Sequence, residues 1–152
     1  MKKGIDYIGV GAGAMIFNSD GKILLIKRGF KSKNEKGKWN IPGGSLEFGE
    51  TREEAIKREI KEELDIEIEI LDTLDTIDHI IPDEKQHWIT TTFIAKTSGK
   101  PKIMEPEKIS EIGWFALDKM PEPLTLSLQK DCKIYFNKFG KKAPFSLNSK
   151  KS

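Results

Sequence analysis

The sequence has a single cysteine, Cys132. That excludes an internal disulfide and agrees with a reducing compartment. Cys132 falls in a helical stripe with Leu124, Leu128, Tyr135, Phe136 and Phe139, which predicts a core position rather than a reactive thiol. Long apolar runs are absent: none approaches the roughly 20 residues of a membrane span. The N-terminus, Met1-Lys2-Lys3-Gly4-Ile5-Asp6, is basic but lacks the continuous apolar region and small-residue cleavage site of a signal peptide. A cytoplasmic location without membrane association is expected. Charge of one sign is also lacking, because 26 basic and 24 acidic residues leave a formal net charge of only +2. Global electrostatics therefore give no indication of a nucleic-acid partner. Neither an internal repeat nor a linker interrupts the 152 residues, and a chain of this length buries roughly 70% of its unfolded surface around one core. Residues 1–140 are expected to form one domain, and the lysine-rich residues 141–152 a flexible tail.

What is present is an alternation of strand and helix signals. Ile8 to Phe17, the turn Asn18-Ser19-Asp20-Gly21 and the run Ile23-Leu24-Leu25-Ile26 read as a hairpin. Gly29 to Lys38 has no periodicity and reads as a loop, and Trp39-Asn40-Ile41-Pro42-Gly43-Gly44 leads into a sharp turn. A short strand is expected at Ser45 to Phe48. Thr51 with Glu54 three residues later forms a capping-box pattern and starts a helix whose apolar stripe is Ala55, Ile56, Ile60 and Leu64. Ile66 to Ile77 alternates as a strand, Pro82-Asp83-Glu84 reads as a loop, and Trp88 to Ala95 is rich in β-formers. A further strand is expected at Gly113 to Ala116 and a helix from about Leu124 to Phe139. The order predicts an α+β fold, a mixed β-sheet sandwiched between helices.

Three carboxylates carry the chemical signal. Glu59, Glu62 and Glu63 stand at i, i+3 and i+4, on one helical face beside the apolar stripe. Their mutual repulsion is relieved by a shared cation, and oxygen-only ligands point to Mg²⁺ or Mn²⁺. Taken alone, three such glutamates also fit a solvated acidic face.

The surrounding frame decides between these readings. Gly44, Glu50, Arg58, Glu59, Glu62, Glu63 and Ile66, with Ile60 in an aliphatic slot, closely resemble the Nudix box. The one departure is Asp65 at the box's penultimate glycine, a helix-ending position where aspartate tolerates the left-handed conformation better than most residues. Segments outside the box, among them Gly9 to Gly13, His87-Trp88-Ile89-Thr90, Met104 to Lys108 and Pro121-Glu122-Pro123-Leu124, are similar to MutT-related nucleoside triphosphate diphosphatases.

The resemblance implies a Nudix-type fold and a metal-dependent pyrophosphohydrolase acting on a nucleotide, and it admits a homodimer. It implies Gly43, Glu59, Glu62 and Glu63 as metal ligands, with one glutamate taking a proton from the attacking water. Arg58 would orient Glu59, with Gly44 and Glu50 as structural members of the box. Catalysis would rest on Arg58, Glu59 and Glu62. Glu105, near Glu107, is a further candidate metal ligand. Lys27 and Arg28, at a strand end, are candidates for substrate phosphates, and Phe17 and Trp88 for stacking on a base. The leading expectation is hydrolysis of a nucleoside triphosphate to monophosphate and pyrophosphate. The alternatives are an ADP-ribose pyrophosphatase, favoured by Pro82, removal of an RNA cap or 5′ pyrophosphate, and a non-catalytic nucleotide-binding regulator, disfavoured because no box glutamate is lost.

Overall fold

Ile23-Leu24-Leu25-Ile26 is buried throughout, and a strand with apolar residues on both faces needs a covering layer on each side. The computed structural model describes residues 1–32 and 35–147 and supplies both layers. Its strands are β1 (Gly9–Phe17), β2 (Ile23–Arg28), β3 (Trp39–Asn40), β4 (Gly43–Ser45), β5 (Glu69–Ile81), β6 (Gln86–Lys96) and β7 (Ile109–Phe115). They form one mixed sheet in the order β3-β2-β1-β6-β5, with β4 paired to β1 and β7 to β2. Helix α1 (Arg52–Leu64) and helix α2 (Leu126–Phe139) complete the chain.

The period of two along each strand distributes side chains between the layers. Ala12, Ala14 and Ile16 of β1, with Leu24 and Ile26 of β2, join Ile56, Ile60 and Leu64 of α1 in one core. Met15, Phe17, Ile23 and Leu25 join Leu128, Cys132 and Tyr135 of α2 in the other. Cys132 is thus a core residue, as its stripe predicts.

The pairing of β1 positions the site. It runs parallel to β6 from Gly9↔Trp88 to Phe17↔Lys96. Its other edge is divided between β2, met at Phe17↔Ile23, and β4, met at Gly11↔Ser45 through Gly13↔Gly43. The segment from Asn40 to Ser45 is thereby wedged between β1 and β2.

Several boundaries differ from the sequence expectation. The strand after Pro42 is Gly43–Ser45 rather than Ser45 to Phe48, because the glycines pair directly with Gly11 to Gly13. β5 begins at Glu69 and extends to Ile81, with register shifts at Ile70/Asp72 and Thr73/Asp75 that break simple alternation. Pro82–Glu84 is a single 3₁₀ turn. β7 begins four residues early, at Ile109, paired to Arg28. Helix α2 starts at Leu126, capped by Thr125, whose side chain accepts from the Leu128 N–H. Residues 141–147 do not behave as the expected tail. The Tyr135 hydroxyl donates to the Lys142 carbonyl, and Phe145 packs edge-on against Phe17 with centroids 6.4 Å apart. Residues 148–152 of that expected tail lie outside the described residues.

Candidate active site

Helix α1 is fixed at both ends. The Glu54 N–H donates to Thr51 Oγ1 (3.1 Å) and the Thr51 N–H to Glu54 Oε1 (2.9 Å), a reciprocal capping box. With Ala55, Ile56, Ile60 and Leu64 facing the sheet, the helical period turns Glu59 and Glu63 towards β4 and the sheet edge. A Cβ built on Gly44 would lie 2.2 Å from Glu59 Cδ. The carboxylate rests directly on the backbone of β4, so any side chain at Gly44 would have to push it aside.

Arg58 organises the polar face. Its Nε donates to Glu50 Oε2 (2.6 Å) and its Nη2 to Glu50 Oε1 (2.9 Å), a bidentate pair. Nη1 reaches Glu59 Oε2 (3.1 Å) and Glu62 Oε1 (3.2 Å), and Nη2 also donates to the Ser45 carbonyl (3.2 Å). One guanidinium thus ties α1 to the segment preceding it and holds two of the three glutamates. Its hydrogen bonds, with one from the Glu47 N–H, hold the Glu50 carboxyl down to about 2. Glu50, a structural member of the box by resemblance, thus has both carboxyl oxygens bonded to Arg58.

Glu59 and Glu63 face an opposite bias. Burial raises the Glu59 pKa against the pull of Arg58. Glu63 is 8% exposed and is pushed up to about 9, first by burial and then by the charges of Glu59 and Glu105. Its Oε1 is buried without a hydrogen-bond donor among the described residues. A buried oxygen of this kind is costly unless a cation or donor meets it, so the donor set fits a hard divalent cation. In the conformation shown, no three acidic, histidine or cysteine side chains converge closely enough to enclose one, among the described residues. Glu62, half exposed, is turned onto Arg58.

These carboxylates open into a cleft of about 360 Å³, lined at this end by Gly43, Gly44, Glu59, Glu63 and Arg28. Trp88 also lines it. Its ring packs on Gly4 and Gly9, where an added Cβ would lie 2.3 and 2.4 Å from it. Burial lowers the Arg28 pKa, while Glu35 and Glu63 oppose the shift. Glu105 lies beside Glu63 in the segment whose Met104 N–H donates to the Glu63 carbonyl (3.0 Å), and its side chain pairs with Lys108 at 3.7 Å.

Two candidate substrate contacts are misplaced by the sequence reading. Phe17 is fully buried, stacked on Tyr135 with centroids 5.7 Å apart; it shares the strand parity of Met15 and so faces α2, away from the cleft. Lys27 points away from the lining residues, pairing with Glu111 at 3.6 Å and lying over the Trp39 ring. The sequence reading missed Lys31 and Lys108, which do line the cleft. The Gly29 N–H donates to the Lys108 carbonyl (2.7 Å) and the Lys31 N–H to the Glu107 carbonyl (2.9 Å), so two segments distant in sequence form one basic wall. The cleft residues His79, Thr92 and Asp131 were missed as well, and no local spacing marks them.

Comparison with known proteins agrees with this geometry. The chain is 42% identical to the crystal structure of a MutT NUDIX hydrolase from Burkholderia pseudomallei, with a TM-score of 0.77, covering 83% of this chain and 96% of that one. It is 33% identical over 102 residues to an 8-oxo-dGTP diphosphatase from Proteus vulgaris, 67% of this chain and 88% of the relative. It is 36% identical over 120 residues to an ADP-ribose pyrophosphatase from Methanocaldococcus jannaschii, 79% of this chain and 69% of the relative. The family model of the NUDIX domain matches residues 8–133, and with every box glutamate in place this chain belongs to the NUDIX family as a pyrophosphohydrolase that cleaves phosphoanhydride bonds.

Proposed function

We propose that this hydrolase converts a nucleoside triphosphate to the monophosphate and pyrophosphate with Mg²⁺ or Mn²⁺. The observation that carries the reading is the placement of Glu59 and Glu63, one with a buried oxygen that meets no donor among the described residues, in a cleft also lined by Arg28, Lys31 and Lys108. Glu59 and Glu63, joined by Glu62 and the Gly43 carbonyl, would hold the cation, and Glu105, whose charge acts on Glu63, would add a further carboxylate. A bound divalent cation neutralises phosphate oxygens and makes a water more acidic. Arg58 holds Glu59 in place through its 3.1 Å contact, and a box glutamate accepts the proton of the attacking water. Arg28, Lys31 and Lys108 bind the phosphates and offset their charge. The nucleotide is the small-molecule partner, and the MutT-like flanking segments favour a triphosphate. The buried thiol of Cys132 supports a cytoplasmic setting.

A second reading, hydrolysis of ADP-ribose, is favoured by the methanogen relative. Pro82, which suggested it from sequence, sits in the 3₁₀ turn and does not line the cleft. Turnover of a nucleotide panel with product identification tests the ranking. At least one triphosphate is expected to show higher kcat/KM than ADP-ribose and to release pyrophosphate, with activity lost to a chelator and restored by Mg²⁺ or Mn²⁺. ADP-ribose outcompeting every triphosphate would overturn the preference.

A further inference from the structure

After Ser45 the chain leaves β4 for the loop that carries Glu47 and Glu50. It bonds β1 once more, from the Leu46 N–H to the Val10 carbonyl at 3.0 Å. The Ser45 carbonyl at this exit accepts from Arg58 Nη2 at 3.2 Å, so the path of two residues sets where the guanidinium sits. Arg58 in turn meets Glu59 and Glu62 through Nη1. A side chain that fixes Ser45 and Leu46 therefore acts on these carboxylates without touching them.

The N-terminal turn supplies such a side chain. The Ile5 and Asp6 N–H groups donate to the Lys2 carbonyl (3.2 and 2.8 Å), and the Lys2 N–H closes the turn on Asp6 Oδ2 at 2.6 Å. Gly4, at φ 76°, is buried against the Trp88 ring, which an added Cβ would meet at 2.3 Å. Its carbonyl accepts from the His87 N–H at 2.8 Å. Both the left-handed backbone and the close approach favour glycine. Docked on β6 in this way, the turn carries Lys3 past the start of β1 to the β4 side, where Nζ donates to the Leu46 carbonyl at 3.0 Å and to Ser45 Oγ at 3.4 Å.

An ammonium has three donors, so one lysine can hold two neighbouring residues at once, and its charge strengthens each bond. The two acceptors of Lys3 flank the Ser45 carbonyl that receives Arg58. We propose that Lys3 is a positioning residue for the hydrolytic centre: clasped to β6 through Gly4, it sets the Ser45–Leu46 backbone, and through the Ser45 carbonyl the guanidinium of Arg58 that orients Glu59 and Glu62. Outer partners of this kind govern both turnover and metal affinity, because they fix the direction from which a carboxylate approaches a cation. The role assigned to Lys3 rests on the metal-dependent hydrolytic reading above.

Lys3→Met keeps most of the stem and removes the donors, Lys3→Arg retains donors, and Lys2→Met, at an exposed neighbour, changes the charge alone. Kinetics use whichever nucleotide of the panel above is turned over fastest, so the choice between triphosphate and ADP-ribose does not enter. Lys3→Met should lower kcat by about 10-fold with KM changed by less than about 3-fold and the melting transition intact. Lys3→Arg should recover most of the loss, and Lys2→Met should stay within about 2-fold of native. In an Arg58→Ala background Lys3→Met should cost less than about 2-fold more, because the group it acts through is gone. Mn²⁺ binding, read by water-proton relaxation without substrate, should weaken by about 5-fold in Lys3→Met. Near-native kcat in Lys3→Met would overturn the proposal, as would unchanged Mn²⁺ affinity or a loss of the same size in the Arg58→Ala background. If no nucleotide is hydrolysed, the hydrolytic reading fails and the Mn²⁺ measurement alone decides the role of Lys3.

Discussion

Gly44 shows how one missing side chain organises a site. The Glu59 carboxylate occupies the space of the Cβ that Gly44 lacks, so Gly44→Ala must displace it by an ångström or more. The expected result is a fall in kcat of about 100-fold with a melting temperature still showing a folded domain. Steady-state kinetics beside thermal melting check this, and near-native kcat would show that Glu59 tolerates displacement. The box resemblance marks Gly44 as a structural member, but its close approach to Glu59 is visible only in the fold. The same resemblance could not say that Glu63 is almost fully buried with an orphaned oxygen, which depends on how α1 lies over the sheet. Phe17 illustrates the converse. An aromatic at the end of a strand is ambiguous in sequence, and only the parity that places it with Met15 on the α2 face excludes it from the cleft.

At the scale of elements, the end of α1 departs from the box glycine. Asp65 adopts the left-handed conformation, φ 56° and ψ 40°, and pairs with Lys61 at 3.2 Å and Lys102 at 3.5 Å. Glycine there would relieve the backbone cost and lose both exposed ion pairs, each worth little. Asp65→Gly is therefore expected to leave the melting temperature within a few degrees of native, whereas Asp65→Ala, losing the pairs and keeping the strain, should be less stable than Asp65→Gly by about 1 kcal/mol. Chemical denaturation of the two variants measures the difference, and the opposite order would contradict the assigned helix end. Element types were readable here from caps and periods: Thr51, the α1 stripe and the Asn18 turn all stand where their chemistry put them. The limits of β4, β5 and β7 were not, because each is set by a partner strand. The register shifts at Ile70/Asp72 and Thr73/Asp75 break the alternation at places that no residue type in the strand marks.

For the molecule as a whole, the Arg58 network couples folding to pH. The Glu50 carboxyl is held near about 2 in the folded protein, against 4.5 without its partners. Its contribution is fully present above the unfolded value and is lost as pH falls from about 4.5 towards about 2. Glu50→Gln should lower the melting temperature near neutrality and flatten its decline between about pH 5 and 2. Parallel melting curves for the two proteins across that range would show that Glu50 does not carry the acid limb. The bipartite cleft was the least legible feature at this scale. Its basic wall joins Lys31 to Lys108, and its far end joins Thr92 to Asp131, residues that come together only when the whole sheet has assembled.

That assembly sets an order in time. The parallel partner of β1 is β6, with Gly9 set against Trp88 and Phe17 against Lys96, and β2 waits for β7, with Arg28 against Ile109. During synthesis at about 5–20 residues per second, the central strand is made on the order of 4–16 s before its partner exists. Contacts this distant in sequence also slow folding intrinsically. For that interval the nascent chain presents the edge of β1, with Met15, Ile16 and Phe17 uncovered, to anything that pairs with strands. The architecture that builds the cleft from distant segments thus leaves the newborn chain dependent on dilution or chaperones until its second half arrives.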